Sequence, residues 1–215
     1  MSTLVVLGDS ITRGTFTGEG DWCPLSLAKP PFAEIVGVNL GFNTVYNYGT
    51  NGISVSETTA QEQGYCLCKW IDQAEQGDAL LLAGGTNDYG NDGGVELGKI
   101  TDKTDVSFFG ALYVLFQKIT KKYPQERVYI LTPLRREGES IPNEKGYVLA
   151  QYRDAIKIRA KEFGFYVLDG ESIPLNPESE EDRRRYMLDG LHPNTDGHRI
   201  IAAFLTEEIK KILEK

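Results

Sequence analysis

The 215-residue sequence predicts an α/β protein, a three-layer α/β/α arrangement around a five-stranded, doubly wound parallel sheet. Apolar runs of strand length alternate with longer stretches of helical period. A crossover-length segment separates each run from the next, as parallel neighbours require. No internal repeat, low-complexity tract or linker interrupts this alternation, so residues 1–215 are expected to form one domain.

The elements follow in order. Leu4 to Gly8 reads as the first strand, and Pro31 to Leu40 as a helix with Phe32, Ile35, Val36 and Leu40 on one face. Thr44 to Asn47 is a short second strand, Cys66 to Gln73 a helix, and Asp78 to Ala83 a third strand. Asp105 to Tyr123 carries the clearest helical stripe, Phe108, Phe109, Leu112, Leu115, Phe116 and Ile119, and Pro124 closes it. Val128 to Thr132 is the fourth strand, Glu144 to Phe163 a long helix ended by Gly164, and Phe165 to Leu168 the fifth strand. Thr195 to Leu213 is the last helix, with Ile200, Ile201, Phe204, Leu205, Ile209 and Leu213 facing inward. This succession suggests the flavodoxin-like strand order 2-1-3-4-5, in which ligands bind beyond the carboxyl ends of the strands.

Composition narrows the partners. Apolar residues at 40% and charged residues at 25% describe an ordinary soluble globular chain. A formal charge of −8 disfavours nucleic acid and anionic membrane surfaces and favours neutral or cationic substrates, unless a local basic pocket overrides the average. No apolar run approaches the ~20 residues of a membrane span, and the amino terminus lacks a secretory pattern, so a cytoplasmic location is expected. Cys23, Cys66 and Cys68 lack metal or redox spacing and read as free thiols. The oligomeric state is not legible.

Two histidines occur in the chain, and His192 stands three residues after Asp189 in Leu188-Asp-Gly-Leu-His-Pro-Asn194. The first strand runs straight into Gly8-Asp-Ser-Ile-Thr12. A hydroxyl nucleophile needs a base that titrates near neutrality, and the base needs a partner on its other ring nitrogen. Ser10, Asp189 and His192 therefore read as one catalytic unit drawn from both ends of the chain. Ser10 follows a strand near a helix start, where free backbone N–H groups favour developing negative charge. Gly52, in Asn47-Tyr-Gly-Thr-Asn-Gly52, has no side chain to keep its amide from a ligand. Asn87, in Gly84-Gly-Thr-Asn-Asp88, offers a side-chain amide. Both are candidate oxyanion donors beside the Ser10 amide. Asp9, Asn47 and Asp88 are supporting residues expected to anchor these loops by hydrogen bonds. All these positions fall on one rim of the expected sheet.

These four blocks, Gly8-Asp-Ser10, Asn47 to Gly52, Gly85-Thr-Asn-Asp88 and Asp189-Gly-Leu-His-Pro193, resemble those of the SGNH hydrolases, also called the GDSL esterase and lipase family. The resemblance spans residues 4 to about 205. It implies Ser10 as nucleophile, His192 as base, Asp189 as its orienter, and Gly52 and Asn87 as oxyanion partners. It implies two-step acyl transfer from an ester to water, with no metal or other cofactor. The expected substrate is a small-molecule or carbohydrate ester with a small or medium acyl group, a carbohydrate O-acetyl ester first. A lysophospholipase or thioesterase comes second, acyl transfer to another acceptor stays open, and a non-catalytic ligand-binding domain is the reading from another class. The α/β-hydrolase elbow, Gly-x-Ser-x-Gly, is absent, since Gly8-Asp-Ser-Ile-Thr12, Gly52-Ile-Ser-Val-Ser56 and Gly170-Glu-Ser-Ile-Pro174 all lack the last glycine.

Other residues keep two readings. Phe16, Trp22 and Tyr89 fall near the same rim, where they either line an acyl or alcohol pocket or simply pack. Arg183 to Arg185 forms a solvated charged face or shapes the entrance ahead of Asp189, and His198 has a surface or packing role.

Overall fold

The computed structural model describes residues 2–18, 25–57 and 65–214, so Trp22 and Cys23 lie outside the described residues. In chain order the elements are β1 (Thr3–Gly8), α1 (Ser10–Arg13), β2 (Thr15–Phe16), β3 (Ser26–Leu27), α2 (Phe32–Asn39), β4 (Thr44–Gly49), α3 (Leu67–Trp70), β5 (Ala79–Ala83), α4 (Thr86–Gly90), α5 (Phe108–Lys122), β6 (Val128–Leu131), α6 (Leu149–Phe163), β7 (Tyr166–Leu168), α7 (Glu180–Tyr186) and α8 (Thr195–Leu213). Five strands form one parallel sheet in the order β4-β1-β5-β6-β7, which is the expected 2-1-3-4-5 once the small β2–β3 hairpin is set aside.

The strands are apolar on both faces because helices cover both. Val5, Leu7, Leu80, Leu82, Val128 and Ile130 face one buried cluster with α3, α5 and α6. Leu4, Val6, Leu81, Tyr129 and Leu131 face the other with α2 and α8. On α5, Phe108, Leu112, Leu115, Phe116 and Ile119 are buried, and each such side chain contributes about 2 kcal/mol by leaving water. That sum, rather than helix propensity, holds the layer in place.

The last helix, α8, spans Thr195–Leu213 as expected, but other helix starts depart from the sequence expectation, each for a local reason. α5 begins at Phe108 rather than Asp105, because Ser107 is the capping residue and accepts from the Gly110 amide at 3.3 Å. α6 begins at Leu149 rather than Glu144. Ahead of it, Asn143 Oδ1 accepts from the amides of Lys145 and Tyr147, and Gly146 adopts φ +82°, so this segment is a turn. The helix expected over Cys66 to Gln73 shortens to α3, since Cys66 is extended and bridges Ser54. Cys66 and Cys68 are buried free thiols. Among the described residues, no helix is long and apolar enough to cross a membrane.

The sheet register aligns the strand ends. Gly8 pairs with both Gly49 and Ala83, Ala83 with Leu131, and Leu131 with Leu168. The backbone of α1 crosses directly over this rim. A Cβ on Gly49 would lie 2.1 Å from the Arg13 amide nitrogen, and one on Gly8 would lie 2.4 Å from the Ala83 carbonyl oxygen. Only glycine admits the chain at these two points.

His198 is a packing residue, fully buried, and fastens α8 to α2. Its Nδ1 accepts from the Phe32 amide at 3.1 Å, and its ring stacks on Phe32 with centroids 5.7 Å apart. That bond requires the neutral ring, and burial lowers its pKa to about 4. An unfolded histidine titrates near 6.5, so between these values the unfolded chain binds a proton that the folded chain does not. The stabilisation is therefore present above pH 6.5 and lost as pH falls toward 4. Measured against His198→Asn by urea unfolding, the wild-type advantage should shrink by on the order of 2 kcal/mol between pH 7 and 4.5. A constant difference over that range would contradict this role.

Candidate active site

The β1 strand ends at Gly8, and Asp9 caps the turn that follows by accepting from the Ile11 amide at 2.9 Å. Ser10 is thereby the first residue of α1, where an amide N–H has no acceptor within the helix itself. α1 has four residues, so its contribution is this local amide rather than the dipole of a long helix. Asp9 is buried, and burial raises its pKa to about 6, against the lowering effect of the Ile11 amide.

The far end of the chain reaches the same place. Ser10 Oγ lies 2.9 Å from His192 Nε2, and His192 Nδ1 lies 2.7 Å from Asp189 Oδ2. Asp189 Oδ1 accepts from the amides of Leu191 at 3.0 Å and His192 at 2.7 Å. Partial burial would raise the Asp189 pKa, but these bonds, led by the one from the His192 ring, overcome it and hold the group well below the ordinary carboxylate range. The carboxylate therefore stays ionised beside the ring. Asn194 accepts from the amides of Asp196 and Gly197, which starts α8 and stops the loop two residues after His192.

The other two blocks are bound to each other. Asn87 lies on α4, and its Nδ2 donates to the Ile53 carbonyl at 2.8 Å, leaving the second amide hydrogen for another acceptor. Asp88 Oδ2 accepts from the Val55 amide at 2.8 Å and Oδ1 from the Ser56 amide at 2.9 Å. Burial raises the Asp88 pKa to about 6. Asn91 Nδ2 donates to the Gly52 carbonyl at 3.2 Å. Gly52 has φ +73°, and nothing stands within 4 Å of where a Cβ would project. Asn47 ties β4 to α1, donating to the Thr12 carbonyl at 2.9 Å and accepting from the Gly49 amide at 2.9 Å.

Several participants were not visible as such in the sequence. Thr17 Oγ1 donates to Asp189 Oδ2 at 3.0 Å, a fourth bond to that carboxylate. Tyr89 is a buried packing residue on α4 rather than a pocket wall, its hydroxyl 2.8 Å from the Gly138 carbonyl and 2.7 Å from that of Ile141. Phe16 is half-buried in the β2–β3 hairpin. Arg183 pairs with Glu137, whose amide donates to the Gly190 carbonyl at 2.8 Å, so α7 does reach the Asp189 loop. Arg184 pairs with Glu180 on α7's own surface.

Comparison with solved structures supports the fold. A protein from Lactobacillus plantarum superposes with TM-score 0.79 at 23% identity, over 98% of this chain and 97% of that one. An M. smegmatis aryl esterase gives 0.68 at 17% identity, over 99% of this chain and 100% of that one. A carbohydrate acetylesterase from Sinorhizobium meliloti gives 0.69 at 13% identity, over 99% and 100%. No curated protein matches the sequence significantly. The sequence of residues 6–200 matches the GDSL-like lipase/acylhydrolase family, and the chain belongs to that family.

Proposed function

We propose that residues 1–215 act as one catalytic domain that hydrolyses small or medium acyl esters through an acyl-enzyme on Ser10. The observation that carries this reading is the unbroken line from Ser10 Oγ to His192 Nε2, at 2.9 Å, and from His192 Nδ1 to Asp189 Oδ2, at 2.7 Å. His192 takes the Ser10 proton as Oγ attacks the ester carbonyl, and Asp189 stabilises the imidazolium that forms. The carbonyl oxygen gains negative charge opposite the Ser10 amide, the Gly52 amide and Asn87 Nδ2. His192 then gives its proton to the departing alcohol. Water enters, loses a proton to His192 and releases the acid, and Ser10 is restored. Asp9, Asn47 and Asp88 act as positioning residues, since they hold the backbone on which these donors stand.

Family membership supports an ester as substrate. Two structural relatives, an aryl esterase and a carbohydrate acetylesterase, are compatible with small esters, and a carbohydrate O-acetyl ester is the leading substrate. The buried free thiols Cys66 and Cys68 support a reducing, cytoplasmic setting.

Ser10→Ala is expected to abolish hydrolysis of p-nitrophenyl acetate while leaving the thermal midpoint nearly unchanged. Activity above a few per cent of wild type would move the nucleophile elsewhere, and a wild-type chain without turnover would favour a binding domain. Asn87→Ala is expected to lower kcat by about 100-fold or more. Only a two-fold loss would remove Asn87 from the oxyanion site.

A further inference from the structure

Arg136 lies five residues beyond the end of β6, on the same rim as Ser10 and Asn87. Its Nη1 donates to the Thr86 carbonyl at 3.3 Å and lies 3.2 Å from Thr86 Oγ1. Its Cζ is 5.4 Å from the centroid of the Tyr89 ring, and a Cβ on Gly90 would come within 2.5 Å of Nη1. The side chain is thus laid along α4, the helix that carries Asn87. The neighbouring residue, Glu137, bonds through its amide to Gly190, the residue after Asp189. Arg136 therefore stands in the wall between Asn87 and the Asp189–His192 pair.

This wall is held rigidly. Arg153, fully buried on α6, donates to the carbonyls of Pro133 and Leu134, each at 2.8 Å, and to Glu139 at 2.6 Å. Glu139 also accepts from the Arg136 amide at 3.2 Å. The two acidic residues on the Arg136 loop are consequently engaged elsewhere, Glu139 with Arg153 and Glu137 with Arg183. Asp9 and Asp189 add negative potential nearby, but their oxygens are bonded to the Ile11 amide and to His192, Leu191 and Thr17. Among the described residues, the Arg136 guanidinium has no ion pair, its Nε is buried without a partner and its Nη2 makes no hydrogen bond.

A half-buried guanidinium held in place without a counter-ion is unfavourable as pure architecture, because desolvation of the charge is only partly offset by Thr86, the Tyr89 ring and the nearby carboxylates. It suits a site where the counter-ion arrives with the ligand. With Nη1 committed to Thr86 and Nε buried, the Nη2 end of the planar group is left to meet an incoming carboxylate. At a net charge of −8 the chain repels anions at long range, so an acidic ester needs such a local cation to bind.

We infer that Arg136 is a specificity residue that binds an anionic group of the substrate, a carboxylate in the first instance, so that the chain selects acidic esters such as hemiesters or acetylated acidic sugars. The inference rests on the proposed ester hydrolysis at Ser10 and names its substrate class.

The test compares two matched pairs of esters with wild type, Arg136→Gln and Arg136→Lys. One pair carries the charge on the acyl side, p-nitrophenyl hemisuccinate against p-nitrophenyl butyrate. The other carries it on the alcohol side, 4-acetoxybenzoate against its methyl ester. For at least one pair, the charged-to-neutral ratio of kcat/KM should fall ten-fold or more in Arg136→Gln, chiefly through KM, with partial retention in Arg136→Lys. A structural disturbance would lower both members alike, so an unchanged ratio in both pairs overturns the inference. Calorimetric titration of succinate into wild type and Arg136→Gln reads the same site without turnover. Turnover of the neutral esters with no Arg136-dependent ratio or succinate binding sinks the inference and spares the esterase reading. Arg136-dependent succinate binding without turnover of any ester does the reverse.

Discussion

The constraint on which the site rests is steric, at the carboxyl end of β1. The chain must leave the sheet, turn and cross over two strand ends within a few residues, and there is no space for a side chain at Gly8 or Gly49 while it does so. Because α1 presses on the rim at that point, Ser10 sits on the sheet edge rather than out on a loop. Asn47 then fastens the crossing by bonding the Thr12 carbonyl. Everything proposed for the site depends on this contact, since it sets the height of the hydroxyl that His192 meets.

From that point the site is assembled by backbone capture. Three aspartates do similar work with opposite electrostatic outcomes. Asp9 and Asp88 are buried and bond backbone amides, and burial raises both pKa values to about 6. Asp189 receives a ring N–H, two amides and a hydroxyl, and stays ionised. Solvation and bond number, not residue type, separate the two structural carboxylates from the one that faces an imidazole. α4 serves in both capacities, because Asn87 offers an amide while Asp88 and Asn91 clamp the Gly52 segment across from it.

The sheet was legible in the sequence because strands buried on both faces leave short, unbroken apolar runs, as in Leu4 to Leu7 and Ala79 to Ala83. The four site blocks were legible because each joins a strand end or a final loop with residue types that chemistry restricts. The starts of α5 and α6 were not, because caps and turns compete locally. Ser107 outcompetes Asp105, and Asn143 with Gly146 unwinds what periodicity alone would make helical. Contacts between remote loops were equally hidden. Nothing around Thr17 announces that it meets Asp189, and the arginines at positions 136 and 153 look like surface charges until β6 and α6 are brought together. His198 was ambiguous for the same reason, since its partner Phe32 lies 166 residues away.

Covalent labelling measures the central claim without any assumption about substrate. A fluorophosphonate probe reacts with a serine hydroxyl only when a neighbouring base activates it, and peptide mass mapping reads where the adduct sits. The account predicts one adduct, on the peptide bearing Ser10, that disappears in His192→Ala. A probe that labels another serine, or labels Ser10 equally well without His192, would contradict it.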